Sequence, residues 1–197
     1  MLEELTRAGI DVSDFGLFTS LRPVSFDFAR ATPILVKWLP RVDSPAVVES
    51  IARSLHGERD AAGEGARQLI AAYRRLSDSE SGARWAIANA LSTLVGPTDA
   101  DDVITLLRNP SSGVARQMLC DALTRTRDPR APDVLIELID DDEVNGHAIL
   151  ALRRLGRWRT VPIPERSQPK LMAVLDRSRA GDFARSQARK ALATLQT

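Results

Sequence analysis

Short apolar segments alternate with polar breaks along most of the chain. In RAPDVLIELI (130–139) the apolar residues recur at helical spacing, after an Asp-Pro-Arg start that suits the first turn of a helix. The acidic break DDDE follows and supplies an N-cap for the next run, VNGHAILALRRLG. That run has one apolar stripe and ends at Gly156, a predicted helix C-cap. Residues 127–156 are therefore predicted to form a helical hairpin.

The second helix of this hairpin recurs along the chain. An Ala-Leu pair marks it at Ala90, Ala122, Ala151 and Ala191, with spacings of 32, 29 and 40 residues. A weaker copy, SPAVVESIARSLHG, places Ile51 39 residues before Ala90. The helix-like runs that precede the five copies are ATPILVKWL, GARQLIAAYRRL, DADDVITLLR, RAPDVLIELI and QPKLMAVLDR. The pattern predicts five antiparallel helix pairs.

A repeat period of this size is typical of a stacked solenoid. One hairpin has too little facing surface to bury alone, so neighbouring hairpins complete each other's cores. The small alanine at each anchor position lets neighbouring helices approach closely. The chain is therefore predicted to be all-α, with residues 1–197 forming a single domain.

Two regions depart from the repeat. Residues 1–30 hold four of the five phenylalanines and are predicted to cap one end of the stack; these residues are Phe15, Phe18, Phe26 and Phe28. Residues 157–169, RWRTVPIPERSQP, are predicted to form a Pro-rich loop insertion, because three prolines there forbid a continuous helix. This insertion accounts for the longest spacing, 40 residues.

The stretch TRTRDPRAPDVLIELIDDDEVNGHAILALRRLG resembles HEAT-like repeats of the kind first associated with phycobilin lyases. The matching features are the Asp-Pro-Arg start, the acidic turn between the helices and the Ala-Leu-x-x-Leu ending. The resemblance covers 81–156 well, and 44–80 and 170–197 more loosely. It implies a right-handed α-solenoid of about five HEAT-like hairpins with an N-terminal cap. It leaves function open, because that family includes scaffolds, enzyme subunits, inhibitors and nucleic-acid binders.

The amino-acid composition excludes some kinds of functional site and indicates a location in the cell. Cys120 is the single cysteine, which excludes an intramolecular disulfide and a metal site with several cysteines. No run of 18 apolar residues is present, so no membrane span is expected, and the first residues do not resemble a signal peptide. We expect a cytoplasmic location and no cofactor.

The charge is distributed unevenly. From residue 146 onward there are 11 Lys and Arg against 3 Asp and Glu, whereas the remainder has 16 against 23. The net charge of +1 therefore conceals a basic end and an acidic end. This asymmetry indicates either a polar partner or self-complementarity between the two ends.

Arginine recurs at one position of the repeat. Arg84, Arg116, Asn145 and Arg185 each lie six residues before an anchor alanine. As a ladder along one edge, the three arginines could bind phosphates or an acidic partner. The alternative is structural: each arginine caps or pairs with acids in the neighbouring inter-helix turn.

The segment GRWRTVPIP offers Trp158 between Arg157 and Arg159. A large ring flanked by cations suits a recognition hot spot, and it could also stack on a nucleic-acid base. The alternative is that Trp158 folds back onto the stack while the arginines stay solvated.

The remaining candidates favour structural roles. Asp140–Glu143 lacks the spacing of a calcium loop and is predicted to be a solvated turn. His56 and His147 have no metal-ligand partner at the required spacing. Cys120 is predicted to be a buried, inert thiol, and Trp85 to pack between repeats.

These observations favour a non-catalytic scaffold, adaptor or inhibitor that binds another protein with an acidic surface. The predicted contact residues are Arg84, Arg116, Arg185, Arg157, Trp158 and Arg159. The alternative is a nucleic-acid-binding protein that uses the basic C-terminal section, with DNA repair as one candidate role. A third hypothesis, a chaperone-like tetrapyrrole lyase, rests on the repeat resemblance alone.

Overall fold

A computed structural model describes residues 1–11, 26–159 and 162–195, without the side chains of 157–159, and this part is helical with no strand. Its eleven α-helices are α1 (Leu2–Arg7), α2 (Phe28–Trp38), α3 (Pro45–Leu55), α4 (Glu64–Arg75), α5 (Ser81–Leu94), α6 (Ala100–Arg108), α7 (Ala115–Thr126), α8 (Ala131–Glu137), α9 (Asn145–Arg159), α10 (Gln168–Arg177) and α11 (Phe183–Leu195). The prediction of an all-α chain is confirmed for these residues.

The helices begin where local chemistry favours a start. Asp27 accepts a hydrogen bond from the Arg30 N–H at the start of α2 (3.0 Å), and α3, α8 and α10 each carry a proline in their first turn. Before α4, Gly63 has φ 78°, a conformation that favours glycine. These signals set the predicted helix runs to within a few residues, and QPKLMAVLDR coincides with α10.

The helices pack in a regular order. We call the pairs α2–α3, α4–α5, α6–α7, α8–α9 and α10–α11 hairpins 1 to 5. The second helices also pack one on the next, α3 on α5, α5 on α7, α7 on α9 and α9 on α11. The anchor alanines of these second helices are all buried: Ala90, Ala122, Ala151 and Ala191. The small alanine side chain at each anchor leaves room for the neighbouring helix.

Ion pairs link neighbouring hairpins on the side of the first helices. Arg74 of α4 pairs with Asp102 of α6 (2.5 Å), and Arg108 of α6 pairs with Glu137 of α8 (2.9 Å). All four side chains are exposed, so each pair contributes only about 0–1 kcal/mol. These pairs hold the first helix of one hairpin in alignment with the first helix of the next.

The Asp-Pro-Arg motif joins hairpins 3 and 4. The Asp128 carboxylate accepts hydrogen bonds from the backbone N–H of Arg130 (2.8 Å) and from its guanidinium (2.7 Å). The same guanidinium reaches Asp101 of α6 (2.6 Å). Hydrogen bonding from Arg130 lowers the pKa of Asp128 to about 2. The motif therefore begins α8 and also ties it to the preceding hairpin.

Part of the predicted N-terminal cap lies within the described residues. Leu5 of α1 is buried, and the Glu4 carboxylate accepts hydrogen bonds from Lys37 (2.7 Å) and Trp38 Nε1 (2.6 Å), which lower the pKa of Glu4. Phe26 is buried and its ring centroid lies 4.7 Å from that of Phe28. The other two phenylalanines, Phe15 and Phe18, lie outside the described residues, and the capping role stays a prediction.

The predicted end of α9 is wrong. The helix passes through Gly156 and ends at Arg159, because Arg157, Trp158 and Arg159 are compatible with a helix and no proline occurs before Pro162. Residues 160–161 lie outside the described part. Residues 162–164 have no regular structure, a 3-10 turn covers Glu165–Ser167, and α10 follows at once. The irregular insertion is thus shorter than the predicted 157–169.

Candidate functional surface

Two arginines of the ladder, Arg84 and Arg116, reach into the turn of the following hairpin. The Arg116 guanidinium, with only 4% of its side chain exposed, donates to Asp141 (2.6 Å) and Glu143 (2.7 Å) in the inter-helix turn of hairpin 4. Burial alone would lower the pKa of Arg116, but the hydrogen bonds to Glu143 and Asp141 raise it overall. Arg116 therefore carries its charge and is neutralised by the following hairpin.

Arg84 has the same orientation one hairpin earlier. Its guanidinium donates to Asp78 of its own turn (2.5 Å) and to the Ser111 carbonyl in the turn of hairpin 3 (2.7 Å). It also lies over the Tyr73 ring at 4.9 Å. These contacts support the structural alternative at Arg84 and Arg116, and a direct role in partner binding there stays a prediction.

The last members of the ladder differ. Asn145 donates to Asp142 of its own turn (3.0 Å) and is buried. Arg185 donates to the carbonyl oxygens of Leu175 and of Ser178 (2.9 Å for the latter), which lie at the end of α10. Its Nε is buried and has no hydrogen-bond partner among the described residues. Arg185 therefore caps its own hairpin instead of reaching another one.

Arg157, Trp158 and Arg159 form the last turn of α9 in backbone terms. Their side chains lie outside the described part of the structure. Their assignment as a recognition hot spot stays a prediction.

The acidic run between α8 and α9 is an exposed turn that also binds cations of the next hairpin. Lys170 pairs with Asp140 (2.7 Å), and the Arg177 Nε donates to Asp142 (3.1 Å). Together with Arg116 these pairs join hairpins 3, 4 and 5. Part of the charge asymmetry is thus neutralised within the chain, between the basic hairpin 5 and the acidic turn of hairpin 4.

The second helices leave one accessible stripe of side chains. We call it the second-helix face; its residues are Trp85, Asn89, Gln117, Met118, His147 and Leu150, all partly exposed. At one end the Arg53 guanidinium lies 5.9 Å above the Trp85 ring. At the other end a groove of about 240 Å³ runs between α7 and α9. Trp85 therefore lies on an accessible face with one cationic neighbour.

A second groove, of about 500 Å³, shares Gln117 and His147 with the first and extends to the start of α11. There the His147 ring lies 5.1 Å from Phe183, and burial lowers the pKa of His147. Phe183 also covers Gly146, where an added Cβ would lie 2.5 Å from the phenylalanine ring. Most residues that line the groove are polar, and the Phe183 ring is its main apolar element.

Reactive groups are few in the described part of the chain. Cys120 is fully buried, and burial raises the pKa of its thiol to about 12, so it stays protonated at neutral pH. No group of three or more His, Cys, Asp or Glu side chains that could hold a metal ion occurs among these residues. None of the helices described is long and apolar enough to cross a membrane.

Fold and surface together define a helical chain whose partly exposed face is formed by consecutive second helices. Comparison with family models, with curated proteins and with solved structures finds no match. The second-helix face was missed from sequence, although its signal was present in polar and aromatic residues beside the Ala-Leu stripe. The function of this chain is therefore inferred from the exposure and the contacts of its own residues.

Proposed function

We propose that this protein is a non-catalytic scaffold that binds another protein through the second-helix face. The observation that carries the proposal is the presence of Trp85, Met118 and Leu150 as partly exposed side chains on three helices that pack in sequence, α5, α7 and α9. Aromatic and methionine side chains are enriched at protein interfaces. The polar neighbours on this face resemble the rim of such an interface.

The proposal includes the architecture: an α-solenoid of five HEAT-like hairpins. Two features support it. Each second helix packs on the next, and arginine at one repeat position binds the following turn at both Arg84 and Arg116. A stack of this kind holds a binding face rigid before the partner arrives, so little conformational entropy is lost on docking.

The experiment that tests this function is site-specific photo-crosslinking in cells. A photoreactive amino acid at Asn89 lies on the second-helix face, and one at Thr105, exposed on α6, is the matched control. We expect discrete adducts with one or a few proteins from position 89 and none of these from position 105. Equal adduct patterns at both positions would contradict the proposal.

Nucleic-acid binding, the alternative, has less support. It depends on the basic C-terminal section, but several of those side chains already bind acids of the same chain; these are Arg154, Arg166, Lys170 and Arg177. A salt titration with duplex and single-stranded DNA tests it, since phosphate contacts give an affinity that falls steeply with salt. Absence of binding at low salt removes this alternative.

A further inference from the structure

The end of hairpin 5 carries a basic groove that the second-helix face does not include. Its volume is about 320 Å³, and it is lined by Gly181, Asp182, Arg185, Ser186, Arg189 and Lys190. Three cations thus meet one carboxylate, that of Asp182, which accepts a hydrogen bond from the Arg179 N–H (2.7 Å). The groove therefore keeps an excess of positive charge.

The repeat shows what this position binds elsewhere in the chain. Arg116, at the equivalent position, binds two carboxylates of the following turn, Asp141 and Glu143. Arg185 has no following hairpin among the described residues. Its guanidinium is bonded only to backbone carbonyls of its own hairpin, whereas that of Arg116 is bonded to carboxylates; the buried Nε is without a partner in both arginines in this part of the chain.

The two other cations of the groove differ from Arg185, whose guanidinium is bonded to backbone carbonyls. Arg189 and Lys190 are exposed side chains of α11, and neither forms an ion pair within the described residues. They lie one turn further along the same helix as Arg185. The three side chains thus place several donors within the reach of one short segment.

We propose that this groove binds an acidic segment of another protein, whose carboxylates contact Arg185, Arg189 and Lys190 as Asp141 and Glu143 contact Arg116. The internal precedent, Arg116 with the carboxylates of Asp141 and Glu143, favours a peptide. The groove is separate from the second-helix face, so either site can fail without the other.

The experiment uses the full-length protein and a fluorescent peptide, LIDDDEVNG, which copies residues 138–146 of the chain. A neutral peptide, LINNNQVNG, is the control ligand. We expect saturable binding of the acidic peptide that weakens with salt, and about tenfold weaker binding of the neutral one, because the contacts are ionic and partly exposed. Fluorescence anisotropy measures both affinities.

Variants locate the site. Arg189→Gln/Lys190→Gln is expected to weaken binding of the acidic peptide about five- to tenfold. The matched control, Arg59→Gln/Arg125→Gln, removes the same charge from exposed positions outside the groove and should leave affinity within about twofold. Arg185→Gln is expected to weaken binding as well, with circular dichroism to verify that α10 and α11 still fold.

Two results would overturn the proposal. One is an equal loss of affinity in the groove variant and in the matched control. That result would show that binding of the peptide depends on the net charge of the protein and not on the groove. The other is displacement of the peptide by an oligothymidylate of the same charge at equal or lower concentration, which would indicate a general anion site. Neither result affects the crosslinking test at Asn89, so failure here is distinguishable from failure of the proposed function.

Discussion

Arg116 and Arg185 occupy the same position of the repeat and have opposite surroundings. Arg116 lies at an interior junction, nearly fully buried, and binds two carboxylates of the next hairpin. Arg185 lies at the end, only partly buried, and binds carbonyl oxygens of its own hairpin. The residue type and its helical position are identical, so the acids that lie within reach decide whether the arginine forms an ion pair: Arg116 finds them in the following turn, and Arg84 finds Asp78 in its own turn.

The same contrast holds for whole helices. In α7, eight residues are buried, because α5, α6 and α9 cover it from several sides. In α11 only Gln187, Ala188 and Ala191 are buried. Amphipathic sequence makes both segments helical, but burial depends on how many neighbours each helix has. Among the described residues, α7 therefore contributes more buried surface to stability than α11 does.

The largest expected effect comes from breaking the interior ion pairs. Arg116→Ala should lower the free energy of unfolding by about 2–3 kcal/mol, because it leaves two carboxylates unpaired at a junction, although both retain some access to water. Arg185→Ala should cost about 1 kcal/mol or less, since only backbone carbonyls lose a donor. Urea unfolding measures both. Equal losses would mean that the two positions do not differ energetically.

A larger side chain should destabilise the protein at a buried position of α7 and have little effect at an exposed position of α11. Ala122→Leu inserts three carbons where α7 packs on its neighbours and should cost about 1–3 kcal/mol. The control Ala193→Leu changes an exposed alanine of α11 and should stay within about 0.5 kcal/mol of the parent. A tolerated leucine at position 122 would show that the second helices do not approach closely there.

The sequence predicts the helices well and the site poorly, for one physical reason. Helix formation depends on neighbours within one or two turns, so proline, glycine and apolar spacing suffice, as α10 shows. The role of Arg116 depends on acids 25 and 27 residues away, which a single sequence does not pair. The error at Gly156 is local: glycine is enriched at helix ends but also tolerated inside them.

A smaller effect is expected at the Asp-Pro-Arg motif of the interior junction. Asp128→Asn should cost about 1 kcal/mol at pH 7, because the ion pair with Arg130 is lost while a turn-forming side chain remains. The pKa of Asp128 is lowered from 3.8 to about 2, so its contribution is present above about pH 4 and is lost as pH falls toward 2.

The free energy of unfolding of the parent and of Asp128→Asn, measured at pH 7, 5, 4 and 3, checks whether the contribution of Asp128 to stability is lost as the pH falls. The difference between parent and Asp128→Asn should shrink below about pH 4, where Asp128 of the unfolded parent takes up a proton while the folded parent does so only near pH 2. The exposed Asp176→Asn, on α10, is the control and should leave stability at pH 7 nearly unchanged. A difference that stays constant down to pH 3 would assign the effect to the turn geometry and not to the charge.

The smallest change in stability is expected for Trp158→Ala, in the last turn of α9. If Trp158 is a recognition residue between two arginines, its removal should weaken partner binding and leave the melting temperature nearly unchanged. Trp38→Ala is the matched comparison, because the Trp38 indole donates to Glu4 and its loss should lower the melting temperature measurably. Thermal unfolding of both variants decides between the two roles. A drop for Trp158→Ala as large as that for Trp38→Ala would make Trp158 part of the core and would contradict its role as a recognition residue.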